Sequence, residues 1–175
     1  MKRLIVLSIV FMFIAGIVFA DDSTAHDVTL NVVDVCLIDL NSTATITLNT
    51  IAPAAGGMDP TGDTDNSKLL QYTSLVPSGD HRVITANWGA TDAAPAGTSL
   101  RLEVTGVPAN CGTAGAQITL SDTAQNIITA IGSCATGVGA NGAALLYTFS
   151  VDNVNNLVVG DTSTVTVTFT LSDAS

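Results

Sequence analysis

Asp59-Pro-Thr-Gly-Asp63-Thr-Asp65-Asn66 is the densest run of oxygen ligands in the chain. Ca²⁺ gathers roughly six to eight oxygens from short loops, so carboxylates and an amide at this spacing meet part of its demand. The EF-hand order is missing, because no glycine sits at the sharp turn and no glutamate closes the loop. The same residue types are ordinary turn formers. Asp59, Asp63, Asp65 and Asn66 therefore define a weak Ca²⁺ hypothesis, and no resident cofactor is expected.

Only His26 and His81 offer a base that titrates near neutral pH. His26 stands near the amino terminus and His81 follows a turn. No Gly-x-Ser-x-Gly elbow, His-Glu-x-x-His helix or Cys–His cluster accompanies them. Two Asp residues can act as acid and base, but nothing in the sequence pairs them. No enzymatic activity is expected. Asn41-Ser-Thr43 matches the N-glycosylation acceptor pattern, which is a short motif.

The three cysteines are Cys36, Cys111 and Cys134. Turn residues flank Cys111 (Asn110, Gly112) and Cys134 (Ser133, Gly137). A bridge between them closes a loop of about two dozen residues, worth on the order of 3 kcal/mol, and this is the expected disulfide. Cys36 lies in an apolar run and reads as a buried thiol, with pairing between subunits as the alternative.

The compartment follows from the first residues. Met1-Lys2-Arg3 precedes an apolar run from Leu4 to Ala20, and Val18-Phe19-Ala20 suits signal peptidase. The run is at the short end of the roughly 17–25 residues of a membrane-spanning helix, which favours a cleaved signal peptide over residues 1–20. No cysteine follows the cut, against a lipoprotein, and no glutamate occupies the fifth mature position, against a type IV pilin. The expected product is one extracellular or cell-surface domain, residues 21–175, with no membrane segment after cleavage. Losing Lys2 and Arg3 takes the net charge from −10 to −12. Such a chain repels nucleic acid and anionic lipid.

The elements that must position these residues are strands. From Thr162 to Ser172 the sequence alternates: Val165, Val167, Phe169 and Leu171 share one face, and Thr164, Thr166, Thr168 and Thr170 the other. Strands are also expected at Ala44–Leu48, Leu69–Val76, Arg82–Trp88, Leu100–Val104, Gln117–Leu120, Asn126–Ile131 and Leu145–Val151. Loops are expected over 51–67 and 132–143. Val28, Leu30 and Val32 occupy even positions, whereas Val33, Val35 and Leu37 occupy odd ones. That change of parity implies a bulge or a passage between sheets. Eight or nine short strands with turn signals indicate an all-β, two-sheet, immunoglobulin-like β-sandwich.

Val28–Leu40 and Thr162–Ser172 contain no lysine and few charges. As edge strands they would lack the usual defences against pairing with another chain. Either each is an interior strand of its own domain, or a neighbouring subunit covers one edge by strand addition. Val28, Leu30 and Val32, behind a polar tail, suit a donor strand, and head-to-tail addition builds filaments. The Val-Thr-Leu first strand and the Val-Thr-Val-Thr-Phe-Thr-Leu last strand resemble those of immunoglobulin-like fimbrial or filament subunits of bacteria. The resemblance covers mainly residues 27–48 and 143–172. It implies a structural surface protein that self-associates into a polymer, with secretion or assembly machinery as a partner. The rival expectation is a monomeric secreted binding or adhesion module that uses loops 51–67 and 132–143.

Overall fold

The computed structural model describes residues 23–174; the expected signal peptide, residues 1–20, lies outside them. The chain divides into two compact units, residues 1–32 and 33–175. The division falls at Val32–Val33, where the apolar parity of the sequence changes. In the first unit, residues 23–32 form no helix or strand. Val28, Leu30 and Val32 there are 66%, 87% and 90% exposed.

The second unit is nearly all β. Its strands are β1 (Val35–Leu40), β2 (Thr50–Ile51), β3 (Thr61–Gly62), β4 (Thr64–Leu75), β5 (Arg82–Trp88), β6 (Thr98–Thr105), β7 (Thr113–Ala114), β8 (Ile118–Thr119), β9 (Gln125–Ile131), β10 (Cys134–Ala135), β11 (Ala143–Val151) and β12 (Val167–Asp173). A single 3-10 turn, Val154–Asn156, precedes β12. One sheet has the order β1-β4-β11-β6-β8, with β10 also on β4; a second has the order β12-β5-β9-β7; β2 and β3 form a ribbon. Every pairing is antiparallel.

Alternation fixes most inward faces. Ile84 and Ala86 of β5, Leu102 and Val104 of β6, and Leu171 of β12 are buried in one apolar cluster with Leu70, Tyr72, Ile128, Leu145 and Tyr147. Both larger sheets contribute to that cluster. On β12 the inward set is the one expected: Thr168 and Thr170 are exposed while Val167 and Phe169 pack on the core.

Four expectations need correction. First, β1 has apolar residues on both faces, so parity alone does not orient it. Ile38 and Leu40 face the core and Leu37 is 65% exposed. Second, Ala44–Leu48 forms no ladder, although Ile46 and Leu48 still pack on the core. Asn41 pairs with Leu69 and Asn49 with Asp63, so the first strand spends eight steps where its neighbour spends six. The surplus arches away from β4, and the Lys68 ammonium crosses the gap to the Ala44 carbonyl.

Third, the expected loops contain strands. β3 and the start of β4 occupy most of 61–67, because β11 supplies backbone partners as far as Thr148↔Thr64. Gly62 allows this: a Cβ there would lie 1.6 Å from the Phe149 carbonyl oxygen. Within 132–143, Cys134–Ala135 forms β10 on Ser74 and Thr73. Fourth, the last strand starts at Val167 rather than near Thr162. Val167 pairs with Trp88 at the end of β5, and beyond it the Thr166 amide donates to the Asp92 carboxylate at 2.8 Å.

Candidate functional site

Among the described residues, β1 is the terminal strand of one large sheet and β12 that of the other. These are the two segments that lack edge defences. An edge strand leaves a row of backbone N–H and C=O groups without a ladder partner. The two edges meet where the Cys36 thiol donates to the Leu171 carbonyl at 3.6 Å. Beside that contact lies a groove of about 290 Å³ lined by Ile38, Leu40, Leu70, Val167 and Phe169, with Asp39, Thr43 and Thr168 as its polar members. Leu70, fully buried, is shared between the groove and the core. Small-molecule pockets run from roughly 300 to 1,000 Å³. A slot at the lower end of that range, flanked by two strand edges, suits a few aliphatic side chains of an extended segment.

Several contacts hold the groove walls. The Asn41 amide group imitates a strand residue: its Oδ1 accepts from the Leu69 N–H at 2.8 Å and its Nδ2 donates to the Ser67 carbonyl at 3.2 Å. That nitrogen is the glycosylation acceptor in the sequence motif, so it already has a partner. Ser42 accepts from the Ala44 N–H at 3.2 Å and starts the arch carrying Thr43. Asp92 accepts from both Gly89 and Thr166, which ties the approach to β12 to the end of β5.

Arg82 fixes the root of β1. It is buried, and its guanidinium donates to Asp34, to Asp173 at 3.0 Å, and to the carbonyls of Val35 and Leu75. Its pKa is raised, first by the hydrogen bond to Asp34, with burial opposing and Asp173 assisting. One side chain thereby joins β5, β4, the start of β1 and the end of β12. The signal was present in the sequence, since Arg82 shares parity with Ile84, Ala86 and Trp88 and must point inward with them.

A larger cleft of about 560 Å³ is lined by Asp34, Pro77, Asp80, His81 and Asp173, among others. Two of its three carboxylates already serve Arg82. It places no nucleophile beside His81, so the smaller apolar groove is the better candidate.

The proposed calcium ligands are not gathered into a cage. Asp65 and Asn66 are consecutive residues of β4, so their side chains leave on opposite faces. Asp65 Oδ1 accepts from the Ser67 N–H and hydroxyl, and Asp63 Oδ1 accepts from the Thr64 N–H. Asp59 lies before β3. Among the described residues no group of three or more His, Cys, Asp or Glu is placed to hold a metal ion.

The cysteines divide. Cys36 sits on β1 and is exposed, not buried as expected. Cys111 is buried and Cys134 half-buried, and both are thiols here. The two interact directly: burial first, then the hydrogen bond and charge of Cys111, push the Cys134 thiol up to about 12.

Among the described residues no helix is long and apolar enough to cross a membrane. No family model matches the chain, and neither curated proteins nor solved structures return a match.

Proposed function

We propose that this chain is a structural subunit of an extracellular filament or surface layer, built as an immunoglobulin-like β-sandwich and assembled by strand addition. The observation that carries the reading is the exposure of Val28, Leu30 and Val32, alternate residues that come to share one face once the segment pairs as a strand. Aliphatic side chains left in water at alternate positions are a binding surface for a strand edge, and a second copy supplies such an edge. In this reading Val28–Val32 of one subunit lies along the seam between β1 and β12 of the next. Its main chain meets the open ladder groups, and its aliphatic side chains enter the groove lined by Ile38, Leu70 and Phe169. Five strand residues span about 17 Å, comparable to the six-residue β1.

The geometry of such an addition predicts a polymer rather than a dimer. Donor and acceptor are different surfaces, so each subunit added presents a fresh donor and a fresh acceptor, and the chain of contacts does not close. No catalytic step is part of this reading. The test is deletion of residues 21–33 from the mature protein, followed by negative-stain microscopy and size-exclusion chromatography. Soluble monomers are expected from the deletion and fibres from the intact chain; fibres that persist after the deletion refute the mechanism.

A further inference from the structure

We infer that Cys111 and Cys134 are the site of a disulfide that joins the two large sheets, leaving Cys36 as the only free thiol of the described residues. The strand register carries the assignment. Cys36 on β1 and Cys134 on β10 both pair with Ser74, from opposite sides of β4. Adjacent strands lie about 4.8 Å apart, so the Cα atoms of Cys36 and Cys134 are separated by about 9.6 Å. A disulfide needs Cα atoms within about 7 Å. Cys36 is therefore out of reach of Cys134, and its thiol is engaged at the far seam with the Leu171 carbonyl.

Cys111 reaches Cys134 from the other sheet. It stands two residues before β7, whose register with β9 is Thr113↔Thr129 and Ala114↔Ile128. Continuing that register sets Cys111 opposite Ile131, and β9 then turns through Gly132 and Ser133 into Cys134. Gly112 closes the approach. Its φ is +111° and a Cβ there would lie 2.8 Å from Ile131 Cγ1, so only glycine lets the backbone beside Cys111 press this closely on β9. Tyr72 braces both ends, since its hydroxyl donates to the Cys111 carbonyl at 2.6 Å while its own carbonyl accepts from the Thr136 N–H, two residues past Cys134.

The bond forms by thiol–disulfide exchange. A thiolate from the pair attacks a small-molecule or protein disulfide and releases one thiol. The second cysteine displaces the other thiol from the mixed disulfide. The pair loses two electrons and two protons, and the disulfide that was attacked is reduced to two thiols. The product links β10 of one sheet to the segment that leads into β7, the edge strand of the other, across the core from the β1–β12 seam.

The experiment equilibrates the mature protein with oxidised glutathione, traps free thiols at low pH with an alkylating reagent, and maps peptides without reduction. A Cys111–Cys134 linked peptide is expected, with only Cys36 alkylated, together with a fall in Tm on the order of 5–10 °C when the bridge is reduced. The Cys36→Ser protein should give the same linked peptide. A bridge that includes Cys36, or three alkylated cysteines after equilibration, overturns the assignment. The measurement is made on monomers and does not depend on whether the chain polymerises.

Discussion

Replacing Leu30 by Asp isolates the assembly contact from the stability of the subunit. Leu30 is 87% exposed, so its loss removes almost no packing within one chain, and the Tm of the monomer should stay within about 1–2 °C of the parent. In the proposed polymer the same side chain is buried. Removing it forfeits about 1.5–3 kcal/mol of hydrophobic transfer, and seating a carboxylate in an apolar slot adds a few kcal/mol more. A total near 4 kcal/mol raises the critical concentration for assembly about 1,000-fold. Thr29→Asp is the matched control: it adds the same negative charge to an already acidic chain, but its side chain leaves the strand on the opposite face. It should shift the critical concentration less than about tenfold. Pelleting across a concentration series, with negative-stain images of each pellet, reads both. The reasoning fails if Leu30→Asp assembles at the parental concentration, or if Thr29→Asp is equally harmful.

Three further outcomes follow from the body of the domain. Arg82→Met keeps a long side chain but strips the donors from the Val35 and Leu75 carbonyls; because Asp34 and Asp173 are exposed and regain water, the cost should be about 3 kcal/mol, seen as a Tm lower by about 6–12 °C in calorimetry. Gly62→Ala forces a Cβ into the Phe149 carbonyl and should destabilise in urea by at least the upper part of about 1–3 kcal/mol, whereas Gly56→Ala, with nothing within 4 Å, should be silent to about 0.5 kcal/mol. The reduced protein should lose stability as pH rises from 9 towards 12, since the Cys134 thiol has its pKa raised from 9.0 to about 12 on folding. In that window the unfolded chain releases a proton that the folded chain keeps, so stability is full below pH 9 and falls above it. Tyr72 and Tyr147, also raised by burial, add to the loss above pH 10. Urea titrations of reduced and oxidised protein between pH 9 and 10 should therefore show the steeper decline in the reduced form.

Period-two patterning made the all-β class readable, and it oriented β5, β6 and β12 correctly because each has one apolar and one polar face. It could not orient β1, where Val35 and Leu37 compete with Ile38 and Leu40. There the outcome was decided by which residues meet Leu70, a contact more than 25 positions away in the sequence. Ala44–Leu48 illustrates a second limit. Its alternation is sound and its aliphatic residues do turn inward, yet strand identity requires a partner at matching spacing, and two surplus residues against β4 remove it. Local pattern reports which side chains prefer the core; it carries no count of steps along a neighbour.

The groove was hidden for the same reason, and its origin is more informative than its absence from the sequence. Val167 and Phe169 belong to the inward set of the last strand, and Ile38 and Leu40 to that of β1. Nothing in either segment reveals that the two edges meet at Cys36 and Leu171 beside an open groove. Both strands reach an end at the groove, β1 at Leu40 and β12 at Val167. Asp92 takes the Thr166 amide just before β12 begins, and the arch after Asn41 leaves β4 just as β1 ends. Ile38, Leu40, Val167 and Phe169 each lie in a strand that is paired on one side only, and together they line an open slot. A chain that leaves both edges open, while keeping them free of lysine and proline, retains a surface that an isolated β-domain would be selected to bury. Its own exposed Val28, Leu30 and Val32 have the spacing and polarity to cover it in a neighbour.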